Sequence, residues 1–373
     1  MKIGILTHPL TTNYGGILQN YALQKTLCDL GHTPITLDYT APTPPLVKLL
    51  SLGSRLAKRL RGSNVPLRGW PTAAEAAIIA QHTARFVSRH IVTTPPCRFS
   101  NLASLSSRNF DALIVGSDQV WRADRGHVER YFFSDFTHLD IPKIAYAASM
   151  GVDRWIFSPK QTARCRKLAA RFTAVSVRED SAVDLCRQHL GIDALRLLDP
   201  TLLHDRQTYA ALVGDTASQA STDKIMTYIL DPTTIKTEIT RIAAHTLGLT
   251  TNSVMARASF LNVGAKRLQD CIFPPVEDWI SGFINAPFVV TDSFHGTVFA
   301  IIFNKPFIAI ANDRRGRARF TSLLQMVGLE DRLVETPGQA GELLHKPIDY
   351  TAVNKIIDAE RLRSLDFLKN SLK

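Results

Sequence analysis

The sequence lacks the features that mark disulfide-stabilised, metal-binding and membrane-spanning proteins. Its five cysteines are scattered, odd in number and without a CxxC pair, so they predict neither a disulfide framework nor a zinc site. No apolar run approaches the roughly eighteen residues that a membrane span requires, and the amino terminus has a strand pattern rather than that of a signal peptide. HExxH motifs and clustered Asp/His sets are also missing. These absences predict a soluble cytoplasmic protein without a metal.

Acidic residues are fewer than basic ones. The 373 residues include 44 Lys and Arg against 33 Asp and Glu, a net charge of +11, which indicates an anionic partner. Nucleic acid, anionic lipid and a phosphorylated substrate all fit that charge. The chain has no recognised nucleic-acid module or basic stripe interleaved with aromatics, so we expect no nucleic-acid partner. An apolar content of 45% argues against disorder.

Strand and helix patterns alternate along the chain, which predicts an α/β fold of two doubly wound, Rossmann-like domains facing a cleft. A polar break at residues 215–223 marks the boundary. We therefore predict an amino-terminal domain over 1–214, a carboxyl-terminal domain over 222–345, and a helix over 346–373 that packs back on the first domain.

The most informative stretch is residues 287–310, PFVVTDSFHGTVFAIIFNKPFIAI. It predicts a buried strand at 287–290, a turn carrying Asp292, Ser293, His295 and Gly296, and a helix from about Thr297. His295 then follows the carboxyl end of a strand, where open α/β sheets bind ligands, and the helix amides favour an anion. Acid/base chemistry on an anion is one interpretation. A buried histidine satisfied by the backbone is the other.

Two further strands end in polar side chains. In DALIVGSDQVW (111–121), Ser117, Asp118 and Gln119 follow the strand, and they either face a ligand or cap a helix. In AVSVRED (174–180), Arg178 ends the strand and suits a phosphate or carboxylate. Ion pairing of Arg178 with a nearby acid is the alternative.

Together these stretches resemble the polysaccharide pyruvyl transferase family. The resemblance covers roughly residues 1–330, and the matching segments are KIGIL (2–6), NYGGILQNYAL (13–23), GSDQVW (116–121), SVRED (176–180), LLDPTLL (197–203) and TDSFHGTVFAIIFNKPF (291–307). It implies a two-domain fold like that of the GT-B glycosyltransferases. It also implies transfer of the enolpyruvyl skeleton of phosphoenolpyruvate to two sugar hydroxyls, giving a cyclic ketal and phosphate, without a further cofactor.

Under this resemblance the first strand–helix turn faces the acceptor. Its glycines lack the GxGxxG spacing, and a turn that needs them only for backbone geometry is the alternative. The predicted acceptor side consists of His8, Asn13, Tyr14, Gly15, Ser117 and Gln119. A terminal galactose receiving a 4,6-ketal, on a lipid-diphosphate-linked precursor in bacterial (for example capsular) polysaccharide assembly, is the expected acceptor.

The donor side is predicted from the remaining polar groups. Many family members have an arginine two residues before the histidine, where this chain has Ser293, and the arginines within 314–319 can compensate. A solvated charge run is the alternative. The predicted donor side consists of Arg178, Ser293, His295, Gly296, Thr297, Arg314, Arg315 and Arg317. His295 is expected to move protons or neutralise phosphate, and Asp118 or Asp292 to act as the acid if burial raises its pKa.

Residues 41–70 contain no acid and include the basic amphipathic runs LVKLL and RLAKRLR. They indicate either contact of residues 46–68 with an anionic membrane surface or a solvated surface loop. Two other functions are open: a GT-B-type glycosyltransferase that uses a nucleotide sugar, and a non-enzymatic binding module at a lipid surface.

Overall fold

The computed structural model describes residues 1–40, 45–63, 65–98, 109–125, 128, 133–135, 140–214 and 223–373. Its strands before residue 214 are Lys2–Leu6 (β1), Thr33–Thr36 (β2), Tyr39–Thr40 (β3), Cys97–Arg98 (β4), Ala112–Val115 (β5), Lys143–Ala148 (β6), Ala174–Val177 (β7) and Leu195–Arg196 (β8). Those after residue 223 are Lys224–Tyr228 (β9), Thr250–Ser253 (β10), Val289–Thr291 (β11), Phe307–Ile310 (β12) and Leu333–Val334 (β13).

Helices connect these strands. In the first part of the chain they are Tyr14–Asp29 (α1), Pro45–Leu60 (α2), Ala73–Ile79 (α3), Gln81–His90 (α4), Pro159–Ala169 (α5), Asp180–Leu185 (α6) and Arg206–Val213 (α7). In the second they are Thr234–Leu247 (α8), Phe260–Val263 (α9), Val276–Asn285 (α10), Phe294–Ile302 (α11), Ala318–Met326 (α12), Pro337–Leu343 (α13) and Tyr350–Ser371 (α14). Within these described ranges, none of the helices is long and apolar enough to cross a lipid bilayer.

Two parallel sheets form the framework. The first has the order β2-β1-β5-β6-β7-β8 and the second has the order β10-β9-β11-β12-β13, while β3 and β4 form a separate pair. Strands such as β5 (ALIV) and β12 (FIAI) are apolar and buried throughout, as expected of parallel strands covered by helices on both faces. The predicted pair of Rossmann-like α/β units is therefore confirmed.

Each sheet has a point where the strand order changes direction. In the first sheet β1 lies between β2 and β5, and in the second β9 lies between β10 and β11. Successive crossovers leave such a point in opposite directions, which opens a crevice at the carboxyl ends of the two central strands. The polar residues that follow β1, β5, β9 and β11 consequently surround two crevices, one in each sheet.

Local sequence sets where the helices begin. Thr72, Ser158 and Thr336 each form a reciprocal capping box with the Glu or Gln three positions later. Ser293 caps α11, its Oγ accepting a hydrogen bond from the amide of Gly296. This cap starts the helix at Phe294, earlier than the predicted Thr297, so His295 lies in the first helical turn rather than in a preceding loop. The preceding strand is Val289–Thr291 rather than 287–290.

The two units share one apolar core. Tyr14 of α1 stacks on Trp279 of α10 with ring centroids 5.6 Å apart, and its hydroxyl donates to the carbonyl of Pro274 at 2.8 Å. Tyr228 packs edge-on against the same indole at 5.2 Å. Aromatic side chains of the first unit thus pack directly against those of the second.

The last helix contacts the segment that directly follows the first sheet. The amide of Leu198 donates to Ser364 Oγ at 3.2 Å, and Arg361 Nε donates to the carbonyl of Leu202 at 3.0 Å. The polar break predicted at residues 215–223 lies, except for Asp223, outside the described residues. The domain limits drawn from the sequence stay a prediction.

Candidate active site

A cavity of about 450 Å³ lies where the two crevices face each other. The first unit contributes His8, Thr12, Asn13, Asp118 and Gln119 to its lining. The second contributes Tyr228, Leu230, Met255, Phe273, Asp292, Ser293, Phe294, His295, Arg315 and Arg319. Eight of the residues predicted from sequence therefore meet in one space: His8, Asn13, Asp118, Gln119, Asp292, Ser293, His295 and Arg315.

His295 is paired with a carboxylate from the other unit. Its Nε2 lies 3.6 Å from Oδ2 of Asp199, which is fully buried at the start of a short 3₁₀ turn. The hydroxyl of Thr201 also donates to Asp199, at 2.6 Å. Burial alone would raise the pKa of Asp199, but the charges of His295 and Arg178 outweigh burial and hold that pKa well below its usual range. Asp199 is thus an anion held next to the imidazole of His295.

Gly15 makes room for this histidine. A Cβ atom at position 15 would lie 2.1 Å from His295 Nδ1, a distance that excludes any side chain. The sequence predicted Gly15 as an acceptor-binding residue, whereas the structure places it against the imidazole, outside the cavity lining. Its conformation is one that any residue can adopt, so close approach explains the glycine.

Asp118 has a left-handed backbone, with φ of 72°. Its carboxylate lies 3.6 Å from Arg178 Nη2 and 3.8 Å from Arg319 Nη1, and it accepts a hydrogen bond from Asn13 Nδ2 at 3.4 Å. Burial would raise its pKa, but Arg178, His295, His8 and Arg319 together hold the pKa well below its usual range. Asp118 therefore fails the condition under which the sequence predicted it as the acid.

The carboxylate of Asp292 accepts hydrogen bonds from four donors. The amides of Leu230 and Asp231, Lys236 Nζ at 2.6 Å and Asn312 Nδ2 at 3.0 Å all donate to its buried carboxylate. A carboxylate in this setting acts as an acceptor and ties the ends of β9 and β12 together. The geometry does not support the prediction that Asp292 is a proton donor.

Two buried arginines lie close to one aromatic ring. The guanidinium carbon of Arg178 is 4.3 Å from the ring centroid of Phe294, and that of Arg319 is 5.4 Å away. Burial and the charge of Arg178 lower the pKa of Arg319 to about 9, so Arg319 remains a cation at neutral pH. Arg319 lines the cavity, whereas Arg178 lies one layer beneath it and pairs with Asp199 at 2.5 Å. The ion-pair alternative therefore describes the position of Arg178.

Arg315 reaches the cavity from the short 3₁₀ turn that precedes α12. Its Nε donates to Asp231 at 2.5 Å, and its carbonyl accepts a hydrogen bond from Gln119 Nε2 of the first unit. Arg314 and Arg317 are exposed, and Arg317 pairs with Glu335 on the surface. Of the three arginines predicted here, only Arg315 contributes to the cavity lining.

Four other predicted residues support the site from outside its lining. Tyr14 belongs to the aromatic core described above. Ser117 Oγ lies 2.9 Å from Asp199 Oδ2 and 3.2 Å from Arg178 Nη1, so it holds the buried ion pair. A Cβ at Gly296 would lie 2.2 Å from Thr291 Oγ1, and the hydroxyl of Thr297 donates to the carbonyl of Ser293. These residues shape the first turn of α11 and the groups beneath it.

Sequence reasoning missed Asp199 and Arg319 as individual site residues. Asp199 stands in the segment LLDPTLL, where an acid between apolar residues and a proline was the available signal. Arg319 is followed by Phe320, and both are buried on α12, which distinguishes it from the exposed arginines before it. Within the described ranges, no group of three or more His, Cys, Asp or Glu side chains is arranged to hold a metal ion.

Comparison with known proteins gave a family match and several structural neighbours. A family model described as polysaccharide pyruvyl transferase matches residues 13–314. A search of curated proteins found no match.

The structural neighbours include a UDP complex of MnaA from S. aureus, with 13% identity, 98% of this chain and 90% of that chain covered, and a TM-score of 0.46. UDP-N-acetylglucosamine 2-epimerase from Rickettsia bellii has 11% identity, coverages of 98% and 97%, and a TM-score of 0.47. Similarity at this level carries no argument about function.

Proposed function

Because the chain belongs to the polysaccharide pyruvyl transferase family, we propose that it moves the enolpyruvyl group of phosphoenolpyruvate onto two hydroxyls of one sugar. The observation that carries this proposal is the pairing of His295 with Asp199 at a cavity that Arg315 and Arg319 also line. A proton donor next to two cations suits a donor substrate that carries both a carboxylate and a phosphate.

In the proposed donor site, Arg319 and Arg315 hold the anionic groups of phosphoenolpyruvate. Ser293, Phe294 and His295 place the amino-terminal end of α11 against the same space, and that end of a helix favours negative charge. Arg178 acts indirectly, since it pairs with Asp199 and packs against the ring of Phe294.

Protonation of the donor is the first chemical step. The protonated form of His295 gives its proton to the methylene carbon of phosphoenolpyruvate, and C2 becomes electrophilic. A sugar hydroxyl adds to C2 and returns its proton to His295. The C2–O bond to phosphate then breaks, and phosphate leaves with the bonding electrons and takes up that proton. The second hydroxyl adds to C2 and closes the ring, and its proton restores the imidazolium. The sum is a ketal and inorganic phosphate.

The acceptor is proposed to enter from the first unit. His8, Asn13 and Gln119 line that wall, and the ionised Asp118 can accept a hydrogen bond from a sugar hydroxyl. We propose a terminal galactose receiving a 4,6-ketal, carried on a lipid diphosphate in bacterial capsular polysaccharide assembly. Such an acceptor places the protein at the inner face of the cytoplasmic membrane.

The test is phosphate release from phosphoenolpyruvate with a panel of aryl and lipid-linked glycosides, with the product mass measured in parallel. The expected product is the galactoside plus pyruvic acid minus water. His295→Gln should lower turnover by about 100-fold or more, because it removes the group that supplies the proton. His345→Gln, at an exposed histidine, is the matched control and should turn over normally.

Two results would contradict the proposal. One is full turnover by a folded His295→Gln variant, which would remove the histidine from the mechanism. The other is binding of a nucleotide sugar without binding of phosphoenolpyruvate, measured by calorimetry, which would favour a glycosyltransferase instead.

A further inference from the structure

Helix α2 presents a row of leucines to solvent. Leu49, Leu52, Leu56 and Leu60 follow one another at spacings of three or four residues, which places them on one face of the helix. Their exposed fractions are 66%, 44%, 50% and 82%. A surface helix normally turns such a stripe toward the core. Here the apolar face points outward, away from the rest of the protein.

A buried arginine fixes this orientation. Arg55 lies on a different face of α2, and its Nη1 donates to the carbonyls of Pro66 at 2.7 Å and Leu261 at 3.1 Å. Gly69 provides the space, because a Cβ at that position would lie 2.5 Å from Arg55 Nε. Leu261 belongs to α9 of the second unit, and its side chain is 52% exposed. The outward stripe is therefore anchored across both units.

The charge around the stripe has one sign. Residues 41–70 contain no Asp or Glu. Arg59 lies beside the leucines on the helical wheel, Lys58 precedes it, and Arg61 directly follows the end of α2; all three are exposed. Basic side chains that flank exposed leucines match a bilayer interface, where the leucines enter the acyl boundary and the cations meet anionic headgroups.

We propose that α2 is a docking surface for a phospholipid bilayer with anionic headgroups, the apolar face formed by Leu49, Leu52, Leu56 and Leu60 lying in the interface. Nucleic acid would match the charge but leave the leucines exposed to water. The hydrogen bond from Arg55 to the carbonyl of Leu261 joins α2 to the second unit. Both units therefore take a fixed orientation at the membrane surface.

Vesicle cosedimentation with the full chain tests the proposal. Binding to vesicles of phosphatidylcholine with phosphatidylglycerol should exceed binding to pure phosphatidylcholine, and it should weaken as salt is added. Replacement of all four leucines by serine should weaken binding to the mixed vesicles by roughly 100-fold or more, since the buried apolar area is lost. Lys58→Glu with Arg59→Glu and Arg61→Glu should have an effect of similar size.

Matched variants in the carboxyl-terminal segment, on α14 and just after it, separate this surface from general charge and hydrophobicity. Lys355→Glu with Lys369→Glu and Lys373→Glu changes the net charge equally, and Leu362→Ser removes another exposed leucine. Both should bind vesicles like the unchanged protein. Arg55→Ala should weaken binding although the leucine stripe is intact, because the helix loses its anchor.

The results that would overturn the proposal are equal binding of all variants, no preference for anionic vesicles, or dimers that the four serines convert to monomers. The last result would assign the apolar face to a second copy of the chain. Vesicle binding needs no turnover, so it is independent of the proposed reaction. Turnover with a water-soluble glycoside should be the same in all the α2 leucine variants.

Discussion

At the scale of single residues, the site depends on a contact that spans the chain. Asp199 follows the first sheet and His295 opens a helix of the second, yet their side chains lie 3.6 Å apart. The sequence predicted His295 from its position after a strand, a local signal. It could not predict the partner, because nothing in LLDPTLL specifies which side chain of the other unit Asp199 meets.

The first prediction concerns Asp199→Asn. Turnover should fall by about 100-fold or more, since His295 loses the carboxylate that faces its Nε2. The free energy of unfolding at pH 7 should fall by about 3–5 kcal/mol, because the buried Arg178 loses the nearest of its carboxylate partners. Urea denaturation and steady-state kinetics measure the two effects. Asp193→Asn, at an exposed carboxylate, is the control and should change neither.

This effect should depend on pH in one direction. The pKa of Asp199 is lower in the folded than in the unfolded chain. Its contribution to stability is therefore complete above the unfolded value of about 3.9 and is lost as the pH falls through the folded pKa. The stability difference between the unchanged protein and Asp199→Asn should shrink below about pH 4. A difference that grows on acidification would contradict the assignment of an ionised Asp199.

The second prediction concerns Gly15→Ala. The added methyl would meet the imidazole of His295, so the ring should shift away from Asp199. We expect a loss of about 1–3 kcal/mol in unfolding free energy, together with most of the activity. Gly341→Ala, where an added Cβ meets nothing within 4 Å, should keep both. Unchanged kinetics of Gly15→Ala would show that the reaction does not depend on the position of the His295 ring.

At the scale of elements, strand positions were predictable and side-chain directions were not. The apolar runs of β5 and β11 located these strands to within one or two residues, because both faces of the strands are buried. Which side of a helix faces the cavity was harder to predict from the sequence. Tyr14 and Asn13 are neighbours in the sequence, yet Asn13 lines the cavity while Tyr14 enters the aromatic core, since α1 begins between them.

The segment from Asn312 to Arg319 shows the same limit. Four arginines of similar sequence context divide into two that line the cavity and two that are exposed. The division arises from a short 3₁₀ turn at Asp313–Arg315 followed by Gly316, whose φ of 98° redirects the chain into α12. The sequence composition identified the run of arginines. Which of these arginines line the cavity is determined by the turn, which the composition does not reveal.

The third prediction follows from that division. Arg319→Gln should raise the dissociation constant for phosphoenolpyruvate by about 10- to 100-fold, the effect of losing one charged hydrogen bond. Arg314→Gln, from the same run but exposed, should leave it unchanged. Calorimetric titration of both folded variants with phosphoenolpyruvate provides the measurement. Equal affinities of the two variants for phosphoenolpyruvate would show that it binds away from Arg319.

At the scale of the whole molecule, the two units are joined by a common core. Tyr14, Trp279 and Tyr228 are in mutual contact, so residues of both units are buried together. The fourth prediction is that urea unfolds the protein in one transition, with far-ultraviolet circular dichroism and tryptophan fluorescence coinciding. Trp279→Ala should lower the unfolding free energy by about 3–5 kcal/mol. Two separated transitions in the unchanged protein would show that each unit folds independently.

The division of the site between two sheets also has a consequence for biosynthesis. A ribosome releases the wall with His8 and Asp118 first, then Asp199, and only afterwards His295, Arg315 and Arg319. Ser364, which contacts Leu198 just after the first sheet, emerges later still. A growing chain therefore holds half a pocket for much of its synthesis, and it acquires its proton donor only after β11 of the second sheet has been made.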